Sequence, residues 1–171
     1  MLDVADETQA RFEALFAEHR RIALKVAGTY CADPEDRRDV AQEIAAQLWR
    51  AFPAYDESRP FSTWMYRIAL NVAISWVRRA SRDRMVPVDG ASLESVASPE
   101  PEETEADERV RILRRFIAEL GDLDRALVLL YLDERSYREM SDVLGITETN
   151  VATKLGRIKE RIRKGTANGA R

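Results

Sequence analysis

Apolar residues recur every three or four positions through most of this chain, and no segment shows the sustained alternation typical of a β-strand. The helical pattern stops over residues 87–108, which hold three prolines, many acids and no aromatic residue. Such a segment buries too little apolar surface to offset its ordering entropy. We expect an all-α protein with two small helical domains, at residues 8–84 and 109–166, joined by a flexible acidic linker at residues 85–108.

Three helices are predicted in the N-terminal domain. The first runs from about Thr8 to Ala32, and Asp33–Pro34 then supplies a capping residue followed by the residue preferred at the first helical position. The second helix continues to about Phe52 and is followed by a loop bounded by prolines, residues 53–60. The third begins at Phe61 and reaches Arg79. Its predicted inward residues are Trp64, Ile68 and Val72.

The C-terminal domain is predicted to begin with two helices and to end with two more. The first has Val110, Leu113, Ile117 and Leu120 on its apolar side. Near the end, Ser136 caps a short helix, Gly145 supplies the left-handed residue that ends it, and Thr147 caps a last helix that continues to about Lys164.

The last two helices form a helix-turn-helix pattern, in which the second helix enters the DNA major groove. Its apolar residues face inward, and its other side carries amide, hydroxyl and basic groups that can bond base edges and phosphates. The alternative is a plain helical hairpin with a solvated face. The outward residues are Asn150, Thr153, Lys154 and Arg157.

Charge supports a nucleic-acid partner only weakly. The net charge is −3, but residues 83–108 carry nine acids and one base, which leaves 26 bases and 21 acids elsewhere. From Arg135 onward there are nine bases and four acids. A cationic C-terminal domain gains from phosphate contact, although a charged helix face is often only solvated.

Several classes of function receive little support. One cysteine, Cys31, and one histidine, His19, give neither an internal disulfide nor the ligands of a zinc site. The chain has no phosphate loop or nucleophile motif, so we expect no enzyme and no cofactor. It also has no signal peptide pattern and no apolar run that could span a bilayer, so we expect a cytoplasmic protein without membrane insertion.

Two further surfaces carry recognisable chemistry. Asp39, Gln42 and Glu43 lie on the outward side of the second helix, where carboxylates and an amide suit the arginines of a partner helix; the alternative is a solvated face. Near the loop, aromatic residues alternate with bases, as stacking and charge neutralisation of a single strand require. This group contains Tyr55, Arg59, Phe61, Trp64, Tyr66 and Arg67, although Trp64 and Phe61 also suit a core.

Three stretches resemble bacterial RNA polymerase sigma factors of the extracytoplasmic-function (ECF) group. They are "RRDVAQEIAAQLWRAFPAYD", "FSTWMYRIALNVAISWVRR" and "SYREMSDVLGITETNVATKLGRIKERIRK", in the family's order and separated by a suitable linker. The resemblance implies a sigma-2 domain and a sigma-4 domain. It also implies promoter DNA and core polymerase as partners, through the clamp helices of the largest subunit and the flap of the second-largest, and an anti-sigma protein as a common further partner.

The resemblance also implies roles for individual residues. Core polymerase binding falls to Asp36, Asp39, Gln42, Glu43 and Trp49. Recognition and melting of the minus-10 element fall to the loop and the third helix, with Tyr55, Arg59, Phe61, Arg67, Asn71, Arg78 and Arg79. Recognition of the minus-35 element falls to the last two helices, with Tyr137, Thr149, Asn150, Thr153, Lys154 and Arg157.

The chain departs from the family pattern at two places. Arg37 and Arg38 stand beside the polymerase-binding acids, so we expect weaker attraction to a basic partner. Ala152 stands where the family often has a base, so one contact to DNA is expected to be missing. The alternative function is a DNA-binding regulator that works without polymerase, with its N-terminal helices serving for dimerisation or ligand binding.

Overall fold

A computed structural model describes residues 4–84 and 105–168. Within these residues every regular element is helical, which confirms the all-α fold class. Most of the predicted linker, up to residue 104, lies outside the described residues. The next helix begins at Glu105, before residue 109, where the C-terminal domain was expected to start. The elements are α1 (Val4–His19), α2 (Arg21–Tyr30), α3 (Pro34–Ala51), a 3-10 turn (Phe52–Ala54), α4 (Phe61–Arg84), α5 (Glu105–Ala118), α6 (Asp122–Leu132), α7 (Tyr137–Leu144) and α8 (Glu148–Asn168).

The single helix predicted over Thr8–Ala32 is wrong, because the chain forms α1 and α2 with a break at Arg20. The ring Nδ1 of His19 donates to the carbonyl of Leu15, at 2.9 Å. A side chain that bonds the carbonyl of the preceding turn competes with the backbone ladder. The ladder is correspondingly weak at the break, where the amide of Leu24 lies 3.5 Å from the carbonyl oxygen of Arg20.

Helices α2, α3 and α4 pack against one another and form the N-terminal core. The predicted inward face of α4 is displaced by one position, since Trp64, Ile68 and Val72 are only half-buried. The reason is that α4 also packs against α7, so its buried arc is centred between two sets of neighbours. The buried residues of α4 are Phe61, Met65, Tyr66, Ala69, Leu70 and Ala73.

Helix α6 lies at the centre of the C-terminal core, with residues 126–130 buried in succession. Val151, Leu155 and Ile158 of α8 are buried, as the spacing predicts. Helix α5 joins the core mainly through its second half, at Phe116 and Ile117. The prediction that Val110 faces inward is therefore wrong: it lies in the first half of α5 and is 47% exposed.

The predicted helix caps are present. The carboxylate of Asp33 accepts from the amides of Glu35 and Asp36 at the start of α3. Ser136 and Glu139 form a reciprocal capping box at α7, and the hydroxyl of Thr147 accepts from the amide of Asn150 at 3.1 Å. Among the described helices, none is both long and apolar enough to cross a membrane.

Gly145 ends α7 in the left-handed region, with φ 67°. We expect Gly145→Ala to lower the free energy of unfolding by about 1 kcal/mol, because L-residues are strained in this conformation. An added Cβ would meet nothing within 4 Å, so the backbone alone causes the loss.

The matched control is Gly156→Ala inside α8, where an added Cβ also meets nothing within 4 Å. It should raise the free energy of unfolding by about 0.5–1 kcal/mol, because alanine is the better helix former. Urea unfolding followed by circular dichroism measures both changes. Changes of the same sign in the two variants would contradict the interpretation.

Candidate polymerase and nucleic-acid interfaces

The outward face of α3 carries a polar stripe, which we define as Asp36, Asp39, Gln42, Glu43 and Trp49. Asp39 and Gln42 are exposed, and Asp36 and Glu43 are half-buried. Glu43 accepts a 2.9 Å hydrogen bond from the side-chain amide of Gln47, which fixes its carboxylate on this face. The stripe is thus a continuous helix surface, whose three carboxylates and one amide suit a partner with N–H donors.

Trp49 forms the apolar end of the stripe. Its ring lies 5.1 Å from the ring of Phe12, centroid to centroid, so α1 holds one side of the indole. The other side remains open, and the residue is 43% exposed. A large, fixed and partly exposed aromatic beside charged groups is the composition of a binding hot spot.

The two arginines next to the stripe behave differently. The Nε of Arg37 donates to the carbonyl of Cys31 at 2.8 Å, which turns its guanidinium toward the end of α2. Arg38 is exposed and borders a groove that also contains Leu24 and Gln42. The expected weakening of core affinity therefore stays a prediction that rests on Arg38 more than on Arg37.

The loop between the 3-10 turn and α4 is closed by its own hydrogen bonds. The hydroxyl of Tyr55 donates to the carbonyl of Arg59 at 2.7 Å, and the amide of Ser58 donates to the carboxylate of Asp56 at 2.9 Å. The hydrogen bonds from Ser58 lower the pKa of Asp56, which stays ionised at neutral pH. The side chain of Arg59 is left exposed at the rim of this fixed loop.

Phe61 supports the loop from below and does not face solvent. It is 4% exposed and contacts the rings of Tyr55 and Trp64. Tyr66 is 0% exposed. Both rings are packed inside the protein in this structure and are not open to a base here, so the minus-10 role of Phe61 stays a prediction.

The outward face of α4 holds the remaining predicted minus-10 residues. Arg67 and Asn71 are exposed one turn apart, and Arg79 is exposed further along, with its guanidinium 5.9 Å from the ring centroid of Trp76. Arg78 differs, because its Nε lies 3.1 Å from the carboxylate of Asp122 in the C-terminal domain. All four polar side chains are thus exposed, and Arg78 is in addition ion-paired with the other domain.

Helix α8 presents the predicted contact residues on one side. Four of them are exposed, whereas Lys154 is half-buried and its Nζ lies 3.8 Å from a carboxylate oxygen of Asp124. Tyr137, at the start of α7, is 38% exposed. The exposed residues of α8 are Thr149, Asn150, Thr153 and Arg157, with Ala152 between them.

Comparisons with known proteins agree with the order of these surfaces. Residues 15–83 match Sigma-70 region 2, and residues 111–162 match Sigma-70 region 4. The ECF RNA polymerase sigma factor SigW of Bacillus subtilis is 30% identical over 75% of this chain and 74% of its own length. This chain belongs to the ECF sigma-factor family.

Other relatives cover still more of the chain. The ECF RNA polymerase sigma-E factor of Escherichia coli is 26% identical over 90% of this chain and 85% of its own length. A solved structure of CnrH in complex with the cytosolic domain of CnrY shares the fold, with a TM-score of 0.69, 20% identity and coverage of 94% of this chain and 90% of that one. The resemblance inferred from the sequence is confirmed, and nothing supports a polymerase-independent regulator.

The sigma-2 and sigma-4 domains are joined in this structure by a cluster around Asp133, which sequence reasoning missed. Its carboxylate accepts hydrogen bonds from the ammonium group of Lys25 and the hydroxyl of Tyr66. Arg135 adds a 3.2 Å hydrogen bond to the hydroxyl of Ser62, and its guanidinium lies 5.5 Å from the ring centroid of Tyr66. No local pattern could reveal this cluster, since Lys25 and Asp133 are 108 residues apart.

The titration of Asp133 follows from these contacts. Burial raises the pKa of its carboxyl, but the hydrogen bonds and positive charge of Lys25, together with the hydroxyl of Tyr66, outweigh burial and leave the pKa below its ordinary value of 3.8. Burial raises the pKa of Tyr66, and Asp133 raises it further, so the phenol remains a donor. Because the carboxyl pKa is lowered, the stabilisation is present above pH 3.8 and is lost as the pH falls through the lowered value.

We expect Asp133→Asn to weaken the docking of the two domains by about 1–2 kcal/mol. Hydrogen bonds to charged groups contribute about 1.5–3 kcal/mol, and the exposure of Lys25 reduces this figure. Energy transfer between dyes on exposed positions of α1 and α7 measures the docked fraction. Asp124→Asn is the control, because that carboxylate pairs within the sigma-4 domain. Equal undocking in both variants would contradict the role of Asp133.

Proposed function

We propose that this chain binds core RNA polymerase in the cytoplasm and directs it to promoters, and that it catalyses no reaction itself. The observation that supports this most is that both matched regions present their predicted polar faces to solvent, on α3 and α4 in region 2 and on α8 in region 4. Run-off transcription with purified core polymerase tests the proposal. Failure of the chain to bind core polymerase would overturn it.

The polar stripe of α3 is the proposed contact with the clamp helices of the largest subunit. Its carboxylates suit arginine side chains, and Trp49 offers an apolar anchor beside them. The sigma-4 domain would meet the flap of the second-largest subunit. Such paired contacts, one from each domain, raise the overall affinity through effective concentration.

The loop over residues 55–60 and the outward face of α4 are the proposed minus-10 surface. Arg59, Arg67 and Arg79 supply positive charge along one path, and Asn71 can bond a base edge. Tyr55 is half-buried and is the loop aromatic that can reach a base. Phe61 takes a supporting role, since it holds the loop from inside.

Helix α8 is the proposed reader of the minus-35 element. Asn150 and Arg157 can make bidentate contacts to bases, while Thr149, Thr153 and Lys154 suit bases or phosphates. Tyr137, at the start of α7, adds a hydroxyl that can bond a phosphate.

The docked arrangement is too small for both promoter elements at once. Elements named minus-10 and minus-35 are about 25 base pairs apart, or about 85 Å along B-DNA. A compact chain of 171 residues has a radius of gyration of about 15 Å, and so is about 40 Å across. We therefore propose that the two domains separate when the chain binds polymerase and promoter.

An anti-sigma protein is a further proposed partner. A solved relative of the same fold is the sigma factor RpoE in complex with the anti-sigma factor NepR from Bartonella quintana, with a TM-score of 0.68, 16% identity and coverage of 92% of this chain and 95% of that one. The exposed stripe on α3 and the exposed face of α5 at Val110 and Ile112 offer surfaces for such a protein.

Asp39→Ala should weaken binding to core polymerase by about tenfold or more. Truncating one partner of a hydrogen-bonded charge pair at an interface costs about 2 kcal/mol or more. Glu18→Ala is the matched control, because it removes an exposed carboxylate from α1 outside the stripe. Titration of labelled protein with core polymerase measures both affinities, and equal affinities would count against the stripe.

Arg157→Ala should weaken binding of the holoenzyme to a minus-35 element and relax its sequence preference, because one bidentate base contact contributes about 1–3 kcal/mol. Lys164→Ala is the control, since it removes an exposed base further along α8. Promoter-binding titrations on matched and mutated minus-35 sequences give the measurement. An unchanged preference in Arg157→Ala would exclude a base contact.

A further inference from the structure

A cleft lies between the sigma-2 and sigma-4 domains, with a volume of about 520 Å³. Its walls come from α2 and the start of α3 on one side and from α5 and α6 on the other. Its charged lining residues are all cationic: Lys25, Arg37, Arg114 and Arg125. We propose that this interdomain cleft binds a small, multiply charged anion that carries phosphate groups.

Most of this positive charge is not neutralised by the protein. Lys25 is paired with Asp133. Within the described residues, Arg37, Arg114 and Arg125 form no ion pair with a carboxylate. Burial raises the pKa of the Cys31 thiol in the same cleft, so the sulfur stays protonated and adds no negative charge. Three guanidinium groups thus share one cleft without an ion-paired carboxylate among the described residues, and the nearest negative charges, on Asp36 and Asp33, act on the Cys31 thiol and raise its pKa further.

Two of these guanidinium groups are held in place before any ligand arrives. The Nε of Arg37 bonds the carbonyl of Cys31 at 2.8 Å, and Nη2 of Arg125 bonds the carbonyls of Ala118 and Leu120 at 2.6 and 3.2 Å. Each of them keeps further N–H donors, and the buried Nε of Arg125 has no hydrogen-bond partner. Neutral carbonyls fix the orientation of both groups without neutralising their charge, which lowers the entropy cost of binding.

The shape and chemistry of the cleft favour a phosphate ligand. Guanidinium forks match pairs of phosphate oxygens, and three forks suit more than one phosphate group. The volume lies in the range of small-molecule sites, which is too small for a folded partner. The shared chemistry is a chain of two or three phosphates, which inorganic polyphosphate and nucleotides both supply.

Such a ligand would favour the docked arrangement of the two domains. Because both domains contribute walls, the ligand binds the docked state and stabilises it by mass action. This consequence rests on the proposed function, in which the domains separate on the promoter. Arg37, which departs from the family's sequence pattern, would then bind the ligand in the cleft and would not act on the polymerase contact.

Calorimetric titration of the full chain with tripolyphosphate at fixed ionic strength tests the site, without polymerase or DNA. Arg37→Gln with Arg114→Gln should weaken binding about tenfold or more, because hydrogen bonds to charged groups are lost. The matched control is Arg38→Gln with Arg115→Gln, which removes two charges from the neighbouring positions outside the cleft. Arg114→Gln alone should also weaken binding, and it breaks no ion pair within the described residues.

One-to-one binding that the cleft variants weaken and the control preserves would support the site. No binding, or equal weakening in cleft variants and control, would overturn it. A parallel titration with ATP separates the sources: tighter binding than tripolyphosphate assigns the site to nucleotides, and equal binding assigns it to polyphosphate. Binding of an acidic peptide such as hexaglutamate, without binding of tripolyphosphate, would overturn the phosphate class. None of these measurements depends on transcription. A negative result would therefore exclude the anion site and leave the proposed function intact.

Discussion

The carboxylate of Asp133 connects the two halves of this protein. It sits just after α6 and accepts from Lys25 of α2 and Tyr66 of α4, so one side chain bonds two helices of the other domain. Each such hydrogen bond to a charged group contributes about 1.5–3 kcal/mol when water is excluded, and less where the partner is exposed. Arg135 lies near the ring of Tyr66, and a second interdomain ion pair joins Arg78 to Asp122 at the start of α6. The cluster around Asp133, the Arg78–Asp122 pair and the packing of α4 against α7 together set the relative position of the functional surfaces.

Two features of function follow from the same docking. It bonds the hydroxyl of Tyr66 and the guanidinium of Arg78, so these two groups of α4 are engaged while the domains are docked. It also brings Arg114 and Arg125 of one domain to Arg37 of the other, and so creates the interdomain cleft. No single one of these arginines would indicate a binding site within its own helix. Their proximity is a property of the docked pair, so a ligand in the cleft and a promoter across both domains would favour opposite states.

Local chemistry could be predicted from the sequence, and long-range packing could not. Asp33, Ser136, Gly145 and Thr147 all cap helices as expected, because a cap depends on neighbours within four residues. Helix α8 packs against α6 and α7 of its own domain, and its buried residues follow the predicted spacing. The inward face of α4 was displaced because it packs against helices of both domains, and the break at Arg20 lies beside a histidine bond that periodicity does not record. Most candidate site residues lie on outward faces, as their spacing predicts, whereas Phe61 is buried, because aromatic character suits both a core and a stacking platform.

The domain contact combines apolar packing of α4 against α7 with the charged hydrogen bonds around Asp133. Each methylene buried in the apolar part contributes about 0.8 kcal/mol, but apolar burial has no preferred direction and does not by itself fix the orientation of the domains. Charged hydrogen bonds require fixed geometry, yet separated groups recover hydration, so their net contribution stays small. A difference of about 1.4 kcal/mol already changes the ratio of docked to open chains tenfold. A partner that binds only separated domains favours the open chain by the difference in its affinity for the two states, and an anion in the cleft opposes it in the same way.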